Sequence, residues 1–200
     1  VPDNELYAIL DSMAARSGND IVIISGRDRV FLDKWFSKGK NLTLVAEHGA
    51  WIRYPGNDWE VTIDTDTGWK KLIRPLLEKY EKHTPGTFIE EKDFSLAWHY
   101  RNADCDLASM NSRELILQLL SFISNLNLGF LEGDRVIEIK SHENSKGSAA
   151  SRLLSGREYD FILAAGDDMT DETMFEKLPE NAFSIKIGLG NTSAKYNLYD

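Results

Sequence analysis

The stretch Phe161-Ile-Leu-Ala-Ala-Gly-Asp-Asp-Met-Thr-Asp-Glu172 leaves few folds open to this chain. Phe161 to Ala165 has the length and apolarity of a parallel strand buried on both faces. Gly166 permits a sharp turn, and the pattern from Asp171 to Phe175 begins a helix. Asp167, Asp168 and Asp171 are therefore expected at the carboxyl end of a strand, the edge at which open α/β sheets bind ligands. Clustered carboxylate oxygens suit a hard, hydrated cation such as Mg2+. The competing reading is that an aspartate before a helix is most often only an N-cap. One cap needs one aspartate, however, and three together repel unless a cation offsets them.

The same strand, polar turn and helix recur earlier. Apolar positions Leu6, Ile9, Leu10 and Met13 mark an opening helix over 4–16, preceded by Pro2 and Asp3. The β-branched run Ile21 to Ile24 then ends in Ser25-Gly26-Arg27-Asp28, and Val30, Phe31 and Trp35 suggest a further helix. The Ser25 hydroxyl and the amides of a helix start can hold a phosphate oxygen, with Arg27 adding charge. Equally, Ser25 can merely cap the helix while Arg27 faces solvent. Leu42 to Ala46 reads as a third buried strand before Glu47-His48-Gly49, and Trp51 to Tyr54 as a hairpin arm. Ser145-Lys146-Gly147-Ser148 opens a helix through Leu154; a lysine at that end opposes the helix dipole and calls for an anion nearby. A last apolar strand is expected over Ala182 to Ile187.

Between these pieces the pattern changes. Trp69 to Tyr80 and Ser112 to Ile123 read as helices, and Thr87 to Lys92, Ser95 to Arg101, 128–131 and 135–140 as strands, an αββαββ module. Its strands expose Glu90, Lys92, His99, Arg101, Arg135 and Glu138, donors and acceptors able to grip hydroxyl groups, although most charged strand residues are simply a wet face. The expected fold is α/β: a doubly wound parallel sheet built from 1–65 and 141–200, interrupted by an inserted α+β cap over 66–140.

Composition narrows the function classes. A net charge of −9 over 200 residues argues against nucleic acid or an anionic membrane as main partner, so an anionic substrate must meet a local basic cluster. The single cysteine, Cys105, cannot form an internal disulfide. No apolar run approaches the roughly 18 residues of a membrane span, and the first ten residues lack signal-peptide character. The expected location is cytoplasmic.

IISGRD with Ser25, NSKGSA with Lys146 and GDDMTDE with Asp167 and Asp171 resemble the second, third and fourth motifs of the haloacid dehalogenase superfamily of phosphotransferases. AEHGAW at 46–51, FIEEK at 88–92, AWHYR at 97–101 and VIEIK at 136–140 narrow the resemblance to the trehalose-6-phosphate phosphatase family, in particular the phosphatase domains of fungal trehalose synthesis proteins. The resemblance implies Mg2+-dependent hydrolysis of trehalose 6-phosphate through an aspartyl-phosphate intermediate, with a trehalose-6-phosphate synthase domain or subunit as partner. It implies that Ser25 binds the phosphoryl group and that Lys146 offsets its charge. Asp167 ligates the metal, Asp171 holds ligand waters or Lys146, and Asp168 shares either task. Glu90, Lys92, Arg101, Arg135 and Glu138 correspond to the family's sugar-gripping residues, with Glu47 and His48 in the cleft between cap and core. The superfamily's first motif, Asp-x-Asp-Gly-Thr, which supplies the nucleophile and the general acid, does not occur in the sequence. The nucleophile is accordingly expected upstream of Val1, a helix is expected beyond Asp200, and the chain alone is expected to be inactive. Two alternatives are a non-catalytic regulatory subunit of a trehalose synthesis complex and a phosphatase for another hexose phosphate.

Overall fold

A computed structural model describes residues 2–36, 39, 41–64 and 66–199; Thr65, the expected first boundary, and both terminal residues lie outside them. The chain divides into two compact units, one formed by 1–63 and 144–200 and the other by 64–143.

The first unit opens with α1 (Asn4–Ala14), capped by Asp3, whose carboxylate accepts from the Leu6 amide at 2.8 Å. The stripe that packs is Tyr7, Leu10 and Ala14, against Phe36 and Leu42. Of the expected stripe Leu6, Ile9, Leu10 and Met13, only Leu10 packs there; Leu6, Ile9 and Met13 are 40–50% exposed instead. Both sets recur at helical spacing, so periodicity alone does not choose between two faces about 100° apart. β1 (Ile21–Ile24) leads through α2 (Arg29–Phe36) to β2 (Leu42–Ala46), which pairs with it in parallel and is buried at every position. A 3-10 turn, Glu47–Gly49, reverses the chain into β3 (Trp51–Arg53), antiparallel to β2, and β3 pairs with β4 (Glu60–Val61).

The second unit contains α3 (Lys70–His83), β5 (Phe88–Glu91), β6 (Ser95–His99), α4 (Cys105–Ile123), β7 (Leu128–Gly133) and β8 (Val136–Ser141). Its antiparallel sheet runs β5-β6-β8-β7. Strand alternation sends Leu96, Trp98, Ile137 and Ile139 to one face, where Ile73, Leu77 and Tyr80 of α3 and Leu115 and Leu119 of α4 cover them. The unit thus has a core of its own.

The chain re-enters the first unit with α5 (Lys146–Leu154), capped by the Ser145 hydroxyl, which accepts from the Ser148 amide at 3.1 Å. β9 (Leu163–Gly166), the single-turn α6 (Glu172–Phe175), β10 (Phe183–Ile187) and β11 (Tyr196–Leu198) follow. β9, β10 and β11 are mutually parallel; β11 has no counterpart in the strands expected from sequence. The parallel strands of the α/β core fall into two sheets rather than one, β1-β2-β3-β4 and β11-β10-β9. β1 and β9 are each the end strand of their sheet. Between them lies an apolar cavity of about 190 Å3 lined by Val22 and Ile24 of β1, Leu163 to Ala165 of β9, and Ala150 and Leu153 of α5.

Candidate active site

In the first unit, the loops after β1 and β2 are bonded to each other, and α5 touches the loop after β2 and the loop after β9. The loop after β1 is held by backbone bonds: the Ser25 carbonyl accepts from the His48 amide and the Arg27 carbonyl from the Glu47 amide, both at 2.9 Å. Glu47 and His48 are buried with φ of 46° and 61°, in the left-handed region. The His48 ring lies against Gly26, where a β-carbon would come within 2.6 Å of it. Ser25 Oγ accepts from the Arg27 amide at 3.2 Å, while the cap of α2 is Asp28, which accepts from Phe31 N at 2.9 Å. The Arg27 guanidinium stacks over the rings of Trp35 and Phe31, 4.8 and 5.5 Å from their centroids.

The amino end of α5 rests on this assembly. A β-carbon on Gly49 would meet the Ser145 carbonyl at 2.9 Å, and Gly49 itself has φ of 128°, so both space and backbone require glycine there. Lys146, first residue of α5, is 8% exposed, and its Nζ donates to Asp171 Oδ1 at 2.7 Å. The anion that the lysine needs at this end of the helix is the carboxylate of Asp171, itself 4% exposed. Asp171 Oδ2 accepts from the Asp168 amide at 3.0 Å, and Asp168 Oδ1 from the Met169 amide at 2.6 Å, a reciprocal capping box around the turn Met169–Asp171. Metal and cap are therefore not exclusive readings of this stretch. The mutual repulsion of three aspartates is also relieved without a metal, because Lys146 is the cation beside Asp171.

Asp167 and Asp168 remain exposed at the end of β9. Among the described residues no three His, Cys, Asp or Glu side chains are grouped as a metal cage. Adjacent exposed carboxylates still fit Mg2+, which keeps most of its waters and needs one or two carboxylates rather than an all-protein cage. Beneath them is a residue that sequence reading missed, Lys186. Its Nζ donates to the Asp167 carbonyl at 2.6 Å and the Asp168 carbonyl at 3.3 Å. A lysine within an otherwise largely apolar strand was the available signal.

In the second unit, the sheet face opposite the helices carries Glu90, Lys92, Ser95, Ala97, His99, Glu138 and Lys140, as the register dictates. Glu138 Oε1 accepts from Lys92 Nζ at 2.9 Å and from Ser95 Oγ at 2.6 Å. His99 Nε2 is 2.7 Å from Glu90 Oε2, with the ring stacked on Phe88. Arg101 and Arg135 lie apart from this group, at the end of β6 and in the β7–β8 turn. Arg101 pairs with exposed Asp134 at 2.7 Å, and Arg135 Nη2 is 3.6 Å from Cys105 Sγ.

The family model described as Trehalose-phosphatase matches residues 1–200. The chain belongs to the trehalose-phosphatase family. It is 38% identical over 200 residues to a bifunctional trehalose-6-phosphate synthase/phosphatase of Thermoproteus tenax, covering all of this chain and 27% of that protein. It is 34% identical to a probable alpha,alpha-trehalose-phosphate synthase of Arabidopsis thaliana, covering all of this chain and 26% of that protein. The chain thus spans about a quarter of the length of these curated relatives. Among solved structures, the trehalose-6-phosphate phosphatase C-terminal domain of C. albicans matches with a TM-score of 0.88 and 29% identity, over 99% of this chain and 80% of that one. The Aspergillus fumigatus trehalose-6-phosphate phosphatase matches at 0.70 and 33%, over 100% and 80%. At 15% identity and a TM-score of 0.71, a B. subtilis haloacid dehalogenase-like hydrolase, covering 98% of this chain and 87% of that one, shares the fold. Among the described residues no helix is long and apolar enough to cross a membrane.

Proposed function

We propose that the protein hydrolyses trehalose 6-phosphate to trehalose and phosphate in the cytoplasm, associated with a trehalose-6-phosphate synthase domain or subunit. The observation that carries this reading is the family match across residues 1–200. The loop geometry supports it: Lys146, held by Asp171, and the Ser25 hydroxyl belong to loops joined at one edge of the core. In this reading the Ser25 hydroxyl donates to a phosphoryl oxygen and the Lys146 ammonium offsets the charge that builds there in the transition state. Asp171 keeps Lys146 aimed. Asp167 and Asp168 hold Mg2+, which supplies charge neutralisation when bound.

The attacking carboxylate is read as the first aspartate of an Asp-x-Asp-Gly-Thr segment outside Val1–Asp200, lying as a strand between β1 and β9. The two end strands and the apolar cavity between them support that placement. Its oxygen forms the bond to phosphorus as the bond to the sugar oxygen breaks, and the second aspartate of the segment protonates the departing trehalose. Water then cleaves the acyl phosphate. In the second unit, Glu90, Lys92 and Glu138 are the residues read as meeting sugar hydroxyls on one sheet face, with Arg101 and Arg135 at its far end.

The test is phosphate release from trehalose 6-phosphate against glucose 6-phosphate, with and without Mg2+, on the chain as given and on a chain extended upstream. Turnover of trehalose 6-phosphate by the extended chain alone is expected. Robust turnover by the shorter chain would place the nucleophile within it, and equal use of both substrates would remove the disaccharide from the reading.

A further inference from the structure

Lys186 is 6% exposed in an otherwise largely apolar strand. Its register partner is Gly166, whose missing side chain leaves the space filled by Asp171. Besides the Asp167 and Asp168 carbonyls, its ammonium lies 3.8 Å from Glu172 Oε1. Glu172 in turn accepts from Thr192 Oγ1 at 3.0 and 3.1 Å and from the Ser193 amide at 2.7 Å. A buried ammonium is stable only where dipoles and charge surround it, and here two successive carbonyls and a carboxylate do so.

The arrangement constrains the acidic loop from below. Lys186 fixes two consecutive peptide carbonyls, and Asp171 fixes the amide of the second residue. With these backbone groups tied down, the directions in which the Asp167 and Asp168 side chains leave the loop are largely set. We propose that Lys186 is a positioning residue for the divalent cation: it sets the cation's affinity by holding Asp167 and Asp168 in place, without contacting the ion. The proposal rests on the reading that this loop holds a divalent cation. Groups that orient metal ligands from behind are worth about 10- to 100-fold in affinity in characterised sites.

The experiment compares wild type with Lys186→Met, which keeps the stem and removes the donors, and with Lys186→Arg. Mn2+ binding is read from the loss of the free-ion electron paramagnetic resonance signal, and melting temperature is recorded in chelator and in Mg2+. The Met variant is expected to bind Mn2+ about 10- to 100-fold more weakly and to lose the Mg2+-induced rise in melting temperature. The Arg variant should recover most of both. A folded Met variant with wild-type Mn2+ affinity overturns the proposal, since a merely structural lysine would lower the melt in chelator and leave affinity alone. Wild type that takes up no Mn2+ overturns the cation reading itself, and the proposal with it. If the Met variant does not fold, Lys186→Gln is held to the same criterion; if that also fails, Lys186 is a residue of the fold and the proposal is overturned.

Discussion

Lys146 and Asp171 form a charge pair with both side chains more than nine-tenths buried, so their worth depends on each having the other. Removing one partner from such a pair costs about 3–5 kcal/mol, because the survivor is left uncompensated. Lys146→Met and Asp171→Asn should each lower stability by that amount in urea titrations, and the double variant should lose less than the sum. A purely additive double variant would show that the two do not couple. Asp167 offers the contrast. Its side chain is exposed, so Asp167→Asn, made in the chain extended upstream, should change stability by no more than about 0.5 kcal/mol while abolishing Mg2+-dependent phosphate release. Full activity in that variant would remove Asp167 from the cation site. The places of Ser25, Lys146 and the three aspartates at strand ends and helix starts were legible because each stands beside a turn signal. Lys186 was not, since its partners are backbone carbonyls that no residue pattern records.

At the scale of elements, α5 is placed by glycines. A β-carbon on Gly147 would run into the Thr173 carbonyl, and the Gly147 amide donates to Thr173 Oγ1 at 3.1 Å. Gly147→Ala should therefore push α5 from α6, costing about 1–3 kcal/mol as overpacking does, and draw Lys146 away from Asp171. A helix-propensity effect alone would stabilise instead, so the sign of the change in urea midpoint decides. On β5, the Arg74 guanidinium bonded to Glu91 holds that carboxyl below its ordinary range. A depressed carboxylate stabilises the fold above its unfolded value, and that stability is lost as pH falls through the folded one. Glu91→Gln should thus lower stability at pH 7, by a small amount because the pair is half exposed and screened, leave it unchanged at acid pH, and so flatten the acid limb of the profile. An unchanged acid limb would mean that the pair contributes nothing measurable.

For the molecule as a whole, the second unit is continuous in sequence and has its own core, with Leu77, Leu96, Trp98, Leu115, Ile137 and Ile139 fully buried. A fragment spanning 64–143 should fold alone, with a single cooperative melt and dispersed amide resonances. A collapsed, poorly dispersed spectrum would show that its core needs the other unit. The first unit is discontinuous, since 144–200 supplies α5 and the three-stranded sheet.

The strand-turn-helix grammar around Ser25 and Asp167, the helix start at Ser145 and the αββαββ order were readable from sequence, because backbone sterics and side-chain periodicity act within a few residues. That α1 buries Leu10 with Tyr7 and Ala14 rather than with Leu6, Ile9 and Met13 was decided only by the contact with Phe36 and Leu42. The split of the parallel strands into two sheets likewise depends on which edges find partners. The charged residues of the second unit divide for the same reason: Lys92 meets Glu138 across β6 and β8 pairing, whereas Arg101 stands past the end of β6 and Arg135 in the β7–β8 turn. Partners 25 and 46 residues apart, as Lys146 and Asp171 or Lys92 and Glu138 are, meet only when the whole chain has closed. Local preference named these residues, and long-range packing chose their partners.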